Sequence, residues 1–322
     1  MVRPPPQTDR IRSLVVAIYQ HITEFAGLPV TVFDPESAAS VVDPASTAWR
    51  IEGDYETSTD EFRELFEKFL SVVDPAQVRA LIIGQWGEAY EESAPVDMLV
   101  EFAPSFSALR ALFLAELTME ESEISWIQQG DITPLFTAFP ELEILRVRGT
   151  EGLELTPLRH TNLREFAIES GGLPGRVVRQ VAECDLPALT HLELWLGTDN
   201  YGGDATVDDF APILAGGRLP ALRRLGLRNA EIADQVAAAV AGAPVVARLD
   251  VLDMSLGMLG DDGVAALLAG QPLTHLKRLD LHRHYISDEV GARLTGELPG
   301  VEVDLSDQQK DRPGDRYVAV SE

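Results

Sequence analysis

The C-terminal third of the sequence repeats itself with a period of 27 residues. Three segments, which begin at Leu222, Leu249 and Leu276, align without a gap. They read LRRLGLRNAEIADQVAAAV, LDVLDMSLGMLGDDGVAAL and LKRLDLHRHYISDEVGARL. Self-similarity at a fixed period of this size is typical of solenoids, in which one unit cannot bury its apolar side without its neighbours. The repeat therefore predicts an elongated stack of similar units.

Each unit predicts a strand followed by a helix. The opening Leu-x-x-Leu-x-Leu places alternate apolar side chains on one face of a short strand. An aligned aspartate (Asp234, Asp261, Asp288) is placed to cap the N-terminus of the helix that follows it. Weaker strand copies bring the expected number of strands to about nine, and they begin at Val78, Leu109, Leu142, Leu163, Leu189 and, in degenerate form, Val303.

These units resemble leucine-rich repeats of the ribonuclease-inhibitor-like class. The segments LDMSLGMLGDDGVAAL and LDLHRHYISDE carry the resemblance best, and the whole chain is similar to bacterial, in particular actinobacterial, leucine-rich-repeat proteins. The resemblance implies an α/β horseshoe with a parallel β-sheet on its concave face and helices on its convex face. It implies no chemistry.

The chain divides into four expected regions. Residues 1–20 are proline-rich without periodicity at their start and are expected to be poorly ordered. Residues 21–76 are expected to form an N-terminal α/β cap, because the end of a solenoid exposes apolar surface. Residues 77–306 form the repeat domain. Residues 307–322 form a tail, which either folds back as a short capping strand or stays loose.

Within the cap, residues 28–33 and 48–52 are predicted to be short strands. Residues 59–72 predict an amphipathic helix, in which Ser58 or Thr59 is the cap and a phenylalanine-rich stripe faces the core.

Charge and composition narrow the classes of partner. The chain has 52 acidic and 26 basic residues, for a net charge of −26. Such a balance argues against binding to nucleic acid, which needs clustered Lys and Arg, and favours a basic protein partner. We find no apolar run long enough to span a membrane and no convincing signal peptide, so a cytoplasmic monomer is expected.

Sequence signatures of catalysis are missing. The chain has no P-loop, dinucleotide fingerprint, nucleophile elbow or His-Glu-x-x-His helix. Cys184 is the only cysteine, which excludes intramolecular disulfides and zinc sites built from paired cysteines. We expect Cys184 to be a small buried hydrophobe, and we predict no catalytic residues, no metal and no cofactor.

The residues between the strand leucines are expected to point onto the concave face. Trp and Arg are common at the energetic centres of interfaces, so Trp195 is a candidate exposed anchor. Two alternatives stay open: the 197–209 insertion could cover Trp195, and the Arg and Glu columns could be ion pairs between neighbouring strands. The candidate binding residues are Arg146, Arg148, Glu165, Glu169, His191, Glu193, Trp195, Arg224, Arg228, Asp253, Arg278, Asp280 and His282.

Two insertions lengthen the repeats. One is the Glu-rich stretch that contains Trp126, after Leu117. The other, 197–209, carries several aspartates that could hold a cation, although its spacing does not fit an EF-hand and a solvated loop is expected.

Three functions follow from these features. The leading hypothesis is a non-enzymatic scaffold that binds another protein on its concave face. The second is an inhibitor or immunity-type protein that masks a basic enzyme or toxin, and it rests on analogy of fold. The third is a metal-dependent enzyme that uses His282, Asp280 and Asp253.

Overall fold

In the computed structural model the described residues are 18–36, 43–310 and 315–322. Most of the region predicted to be poorly ordered, residues 1–17, lies outside them. The described residues form one twelve-stranded sheet whose strands follow chain order. β1 pairs with β2 in antiparallel fashion, and every later pair is parallel. The strands are β1 Glu24–Phe25, β2 Leu28–Val32, β3 Ala48–Ile51, β4 Ala80–Ile83, β5 Ala111–Leu114, β6 Ile144–Arg148, β7 Glu165–Glu169, β8 His191–Gly197, β9 Arg224–Ala230, β10 Val251–Asp253, β11 Arg278–Asp280 and β12 Glu302–Asp304.

Helices follow most of the strands on the other side of the core. No helix forms between β6 and β7 in residues 149–164, where the spacing between predicted strand starts is shortest. None of the helices in the described ranges is both long and apolar enough to cross a membrane. The helices are α1 Thr59–Val72, α2 Val96–Phe102, α3 Thr133–Ala138, α4 Gly175–Glu183, α5 Ala211–Leu214, α6 Ala233–Ala241, α7 Asp261–Ala269 and α8 Asp288–Glu297.

Residues that align in the sequence repeats are also direct partners on neighbouring strands of the sheet. Leu225, Leu252 and Leu279 are direct partners across β9, β10 and β11, and all three are fully buried. The nine strands β4 to β12 lie where the strand copies were predicted. The leucine-rich-repeat solenoid with a parallel sheet is therefore confirmed.

The predicted elements of the N-terminal region are also present. Strands β2 and β3 and helix α1 match the expected segments, and β3 joins the parallel sheet beside β4. Ser58 and Glu61 form a capping box at the start of α1, and Phe62, Phe66 and Phe69 are buried. Because these strands extend the repeat sheet, the sheet has three strands more than the repeats alone provide.

The aligned aspartates do not cap their own helices as predicted. Asp234 lies in the first turn of α6, and its Oδ1 accepts hydrogen bonds from the backbone N–H groups of Gly260 and Gly263, at the start of α7. Asp261 likewise accepts from the backbone N–H of Ser287, which precedes α8. The carboxylates face the next repeat, so each satisfies free donors of a neighbouring helix and links two units.

An unexpected hairpin covers part of the concave face. Phe25, at the β1–β2 turn, packs on Phe113 with ring centroids 5.8 Å apart. It shares a small apolar cluster with Ala80, Ile82 and Ala111, the concave residues of β4 and β5. The first strands carry small or apolar concave residues because this hairpin buries them.

The C-terminal tail forms an ordered strap rather than a capping strand or a loose end. Residues 315–322 contain no regular secondary structure, yet Val318, Ala319 and Val320 are buried. The backbone N–H of Ala319 donates to the carbonyl of Leu256 at 2.8 Å. Polar side chains from several repeats supply most of the other bonds, so the strap ties together units that are distant along the solenoid.

Candidate functional site

Beyond the hairpin, the concave face carries two rows of residues set by the strand register. The first row runs from β7 to β12 through Glu165, His191, Arg224, Val251, Arg278 and Glu302. The second row runs from β6 to β12 through Arg146, Ala167, Glu193, Gly226, Asp253, Asp280 and Asp304. Arg146, His191 and Arg278 pair with carboxylates of these two rows. Arg228, two residues after Gly226 on β9, pairs with Glu193 and Asp253 of the second row, and we call the two rows together with Arg228 the charged ladder.

At the N-terminal end of the charged ladder, His191 lies between two carboxylates. Its ring nitrogens are 3.3 Å from Glu165 and 3.4 Å from Glu193, and Arg146 Nη2 is 2.6 Å from Glu165. Burial opposes ionisation of Glu165, but the hydrogen bond and charge of His191 and the charge of Arg146 outweigh it and lower the pKa of Glu165 to about 2. Burial also lowers the pKa of His191, yet hydrogen bonds to Glu165 and Glu193 raise it overall.

Arg148 and Glu169 are buried rather than displayed. Arg148 Nε lies 2.7 Å from Glu169, and its guanidinium lies 5.1 Å from the centroid of the Phe113 ring. Arg148 Nη1 is also 3.4 Å from the fully buried Glu116. We predicted both Arg148 and Glu169 as binding residues, but both are buried, and Glu169 also pairs with Arg146 of the ladder at 3.6 Å.

Trp195 is buried as well, with 7% of its surface exposed. Its indole Nε1 donates to Glu193 Oε1 at 2.8 Å, and the guanidinium of Arg228 lies 5.0 Å from the ring centroid. The prediction of an exposed tryptophan anchor is therefore wrong. Arg228 contacts the ring because its own partners, Glu193 at 2.8 Å and Asp253 at 3.4 Å, hold it over the strand.

At the C-terminal end, Arg278 is the centre of the ladder. Its Nη2 lies 2.7 Å from both Asp280 and Asp304. His282 Nδ1 is 2.7 Å from Asp280. Burial opposes ionisation of Asp280, but hydrogen bonds from His282 and Arg278 outweigh it and hold the pKa of Asp280 well below its usual range.

The ligand set of the metal hypothesis is not brought together as predicted. Asp280 and His282 group with Asp304, with ligand atoms within 4.8 Å of one another, whereas Asp253 pairs with Arg228. The guanidinium of Arg278 already contacts two of the carboxylates, and a cation there would have to compete with it.

Arg224 differs from the other ladder arginines. It is exposed at the centre of the first row, between His191 and Val251. Among the described residues no carboxylate forms an ion pair with it, whereas Arg146, Arg228 and Arg278 each contact two or more. Arg224 is thus the ladder cation that is most available to another molecule.

A pocket of about 390 Å³ lies where the hairpin meets the ladder. Ile22 and Phe25 line one side, and Ile144, Arg146 and Glu165 line the other. Apolar surface therefore adjoins the first ion pair of the ladder.

The 197–209 insertion is structured by its own carboxylates. Asp204 Oδ1 accepts from the backbone N–H of Gly175, at the start of α4, at 2.7 Å. Asp209 accepts from the backbone and hydroxyl of Thr206 and pairs with Arg179. These bonds give Asp204 and Asp209 structural roles, and no group of three metal-ligating side chains forms here among the residues that the structure describes.

Cys184 is buried as expected for a small hydrophobe, and its thiol donates to the carbonyl of Gln180. Burial raises the pKa of this thiol, which disfavours the reactive thiolate.

Our prediction from sequence overlooked Glu116. This residue follows β5, is fully buried, and forms ion pairs with Arg50, Arg148 and His21. A glutamate inside the apolar stretch LFLAELT was the available signal, because a buried carboxylate needs a cationic partner.

The parallel sheet in chain order and the helices between its strands define a leucine-rich-repeat solenoid. A Bacteroides fragilis protein, solved as a Northeast Structural Genomics Consortium target, is similar at 33% identity and a TM-score of 0.74. The match covers 84% of this chain and 76% of that one. The chain belongs to the same family as this Bacteroides fragilis protein.

Two other solved structures are more distant. The TLR13–ssRNA13 complex is 12% identical with a TM-score of 0.39, over 89% of this chain and 38% of that one. An internalin (inlF) from Listeria monocytogenes is 14% identical with a TM-score of 0.35, over 82% and 75% of the two chains. No protein-family model matches this chain. No curated protein matches it either.

Proposed function

We propose that this protein is a non-enzymatic scaffold that binds another protein on the charged ladder. The observation that carries the proposal is the uncovered part of the concave face, where charges of both signs are held in fixed positions. Ion pairs between neighbouring strands set the orientation of Arg146, Arg228 and Arg278. A surface that is ordered before binding loses less conformational entropy when a partner arrives.

The size and shape of the ladder suit a protein better than a small molecule. It extends over seven strands, and adjacent strands lie ~4.8 Å apart, so the surface is about 30 Å across. Specific interfaces bury roughly 800 Å² per partner, and a round patch of that area is also about 30 Å across. Small-molecule sites are enclosed clefts by comparison.

Arg224, which has no ion pair among the described residues, predicts which charge the partner carries at the point of contact. A cation at the centre of an otherwise paired surface favours a carboxylate on the partner at that point. The net charge of −26 favours a partner that is basic over the rest of its surface. The inhibitor hypothesis is the special case in which that basic partner is an enzyme or toxin.

We also propose that the chain divides into regions at residues 20, 76 and 306, that it belongs to the ribonuclease-inhibitor-like subclass, and that it is a cytoplasmic monomer.

The test compares two charge reversals. The full-length chain is used to capture partners from the native cell, and the affinity of the captured protein is then measured for Arg224→Glu and for Arg218→Glu. Arg218 is also an exposed arginine without a described ion pair, but it precedes β9 and lies off the ladder. We expect Arg224→Glu to weaken binding at least tenfold and Arg218→Glu to leave it within twofold.

Equal effects of the two substitutions would place the binding surface elsewhere. Failure of any protein to bind the intact chain specifically would contradict the scaffold function itself.

A further inference from the structure

A second surface, away from the charged ladder, displays aromatic rings. Tyr55, Tyr90 and Trp126 lie in the loops that follow β3, β4 and β5, at the carboxyl ends of the strands. The Tyr55 and Tyr90 rings stack with centroids 6.5 Å apart, and their hydroxyl groups are 3.1 Å apart. Tyr90 and Trp126 line one shallow pocket of about 340 Å³. We call the three residues the aromatic rim.

The exposure of this rim is unusual within the molecule. Trp126 is 56% exposed, whereas Trp49, Trp86 and Trp195 are all buried. Tyr55 and Tyr90 are also among the exposed large apolar side chains. Adjacent exposed rings of this kind mark a surface that another molecule covers.

The loops that carry the rim are strongly acidic. Residues 52–58, 84–95 and 115–132 together contain eleven Asp and Glu residues and no Lys or Arg, and all of these carboxylates except the buried Glu116 are at least partly exposed. Glu123 lines the pocket with Trp126. The hydroxyl of Tyr90 and the carboxylate of Glu88 raise the pKa of the Tyr55 phenol.

The C-terminal strap extends the same surface. Ser125 Oγ, next to Trp126, donates to the carbonyl of Ser321 at 2.7 Å. Tyr201 donates its hydroxyl hydrogen to Glu322, which adds another aromatic ring and another carboxylate. The strap and the 197–209 insertion therefore adjoin the rim, which itself is formed by three loops.

We propose that the aromatic rim docks an extended basic segment of a partner protein, with a Lys or Arg side chain over the rings of Trp126 and Tyr90. A guanidinium or ammonium group is attracted to the face of Trp and Tyr rings at distances up to about 6 Å. The surrounding carboxylates supply the opposite charge and raise the local concentration of such a segment. A purely apolar ligand would gain from the rings alone, and an acidic ligand would be repelled by the carboxylates.

The structure itself shows this chemistry within the chain. Arg228 lies over Trp195, and Arg63 lies over Phe102 while it pairs with Glu101 at 2.6 Å. The rim has the same combination of ring and carboxylate, but no described guanidinium or ammonium group lies over Trp126, Tyr90 or Tyr55.

The experiment uses the full chain labelled with 5-fluorotryptophan, which gives one ¹⁹F resonance for each of its four tryptophans. The probe is a synthetic peptide of five Arg-Gly repeats, and the control peptide has five Glu-Gly repeats. We expect the Arg peptide to shift the Trp126 resonance, assigned with Trp126→Phe, and to leave the three buried tryptophans unchanged.

Matched variants distinguish the contribution of the rings to peptide binding from that of the carboxylates. Trp126→Ala is expected to weaken binding of the Arg peptide at least threefold. The triple variant Glu88→Gln/Glu91→Gln/Glu123→Gln is expected to weaken it at least tenfold at low salt. The control triple Glu183→Gln/Asp262→Asn/Glu289→Gln removes the same charge from exposed positions elsewhere and is expected to leave it within twofold.

The proposal is overturned if the Arg peptide does not bind at millimolar concentration. It is also overturned if the Glu peptide binds equally well, or if both triple variants weaken binding alike. None of these outcomes would contradict the proposed function of the charged ladder, because Arg224→Glu tests that surface separately.

Discussion

The side-chain amide of Asn229 bonds both backbone groups of Val320, 91 residues further along the chain. Its Oδ1 accepts from the Val320 N–H at 3.0 Å, and its Nδ2 donates to the Val320 carbonyl and, at 3.1 Å, to that of Ser170. One fully buried side chain thus joins β9, the loop after β7 and the C-terminal strap. The side chain of Asn229 therefore binds the strap through its backbone groups, as proteins bind extended peptides.

Removal of the Asn229 amide should loosen the strap. Asn229 has φ +54°, a conformation that glycine tolerates, so Asn229→Gly removes the amide without adding backbone strain. We expect a loss of about 2 kcal/mol in the free energy of unfolding, because buried backbone groups lose their partners. Hydrogen exchange at residues 318–320 should accelerate. Asn162→Gly, which removes one peripheral bond, is the control, and unchanged exchange in Asn229→Gly would contradict the role of the strap.

His191 should couple stability to pH. Its pKa is raised in the folded protein, so its stabilising interaction with Glu165 and Glu193 is present below the unfolded value of about 6.5. This contribution is lost as the pH rises through the folded value. The unfolding free energy of the wild type relative to His191→Gln should therefore fall from pH 6 to pH 9. A ring titration by NMR with a midpoint below 6.5 would disprove the coupling.

Two ladder arginines should contribute different amounts to the free energy of unfolding. The Arg228 side chain is 17% exposed and pairs with Glu193 and Asp253, of which 8% and 19% are exposed. Arg228→Ala removes the only cation that pairs with Asp253 among the described residues and leaves Glu193 paired with His191 alone, and we expect a loss of about 3 kcal/mol in the free energy of unfolding. Arg278→Ala should cost at most about 1 kcal/mol, because Arg278 and its partner Glu302 are more exposed and its buried partner Asp280 keeps His282. Denaturant unfolding measures both, and equal losses would refute the difference.

The position of the β1–β2 hairpin on the sheet should depend on the Phe25 ring. Phe25→Ala removes the contact with Phe113 and empties the small cluster above β4 and β5. We expect it to cost about 3 kcal/mol in unfolding free energy and to increase hydrogen exchange over residues 22–32. Val32→Ala, at an exposed position of the same hairpin, should cost less than about 0.5 kcal/mol. Similar exchange in both variants would show that Phe25 does not anchor the hairpin.

The repeat made the sheet predictable from the sequence. Leucines at similar spacing define the core side of each strand, so β4 to β12 were located correctly, and the phenylalanine stripe located α1. The same alternation identified the ladder residues, since every second residue of a parallel strand faces the same side.

Contacts between distant segments were not predictable in the same way. Phe25 on Phe113, Asn229 on Val320 and Arg228 on Trp195 each join segments with no shared pattern. Trp195 was expected to be exposed because strand alternation gives the direction of a side chain but not what covers it. The aspartate column was misassigned for a related reason, since a carboxylate in a first helical turn reaches its own helix and the next one equally well.

Site-specific photo-crosslinking tests the central claim most directly. A p-benzoylphenylalanine residue is introduced at position 224, on the ladder, or at position 218, off the ladder, and the full chain is irradiated in the native cell. We predict a crosslinked protein adduct from position 224 and none from position 218. An adduct from position 218 alone, or identical adducts from both positions, would contradict the assignment of the charged ladder as the binding surface.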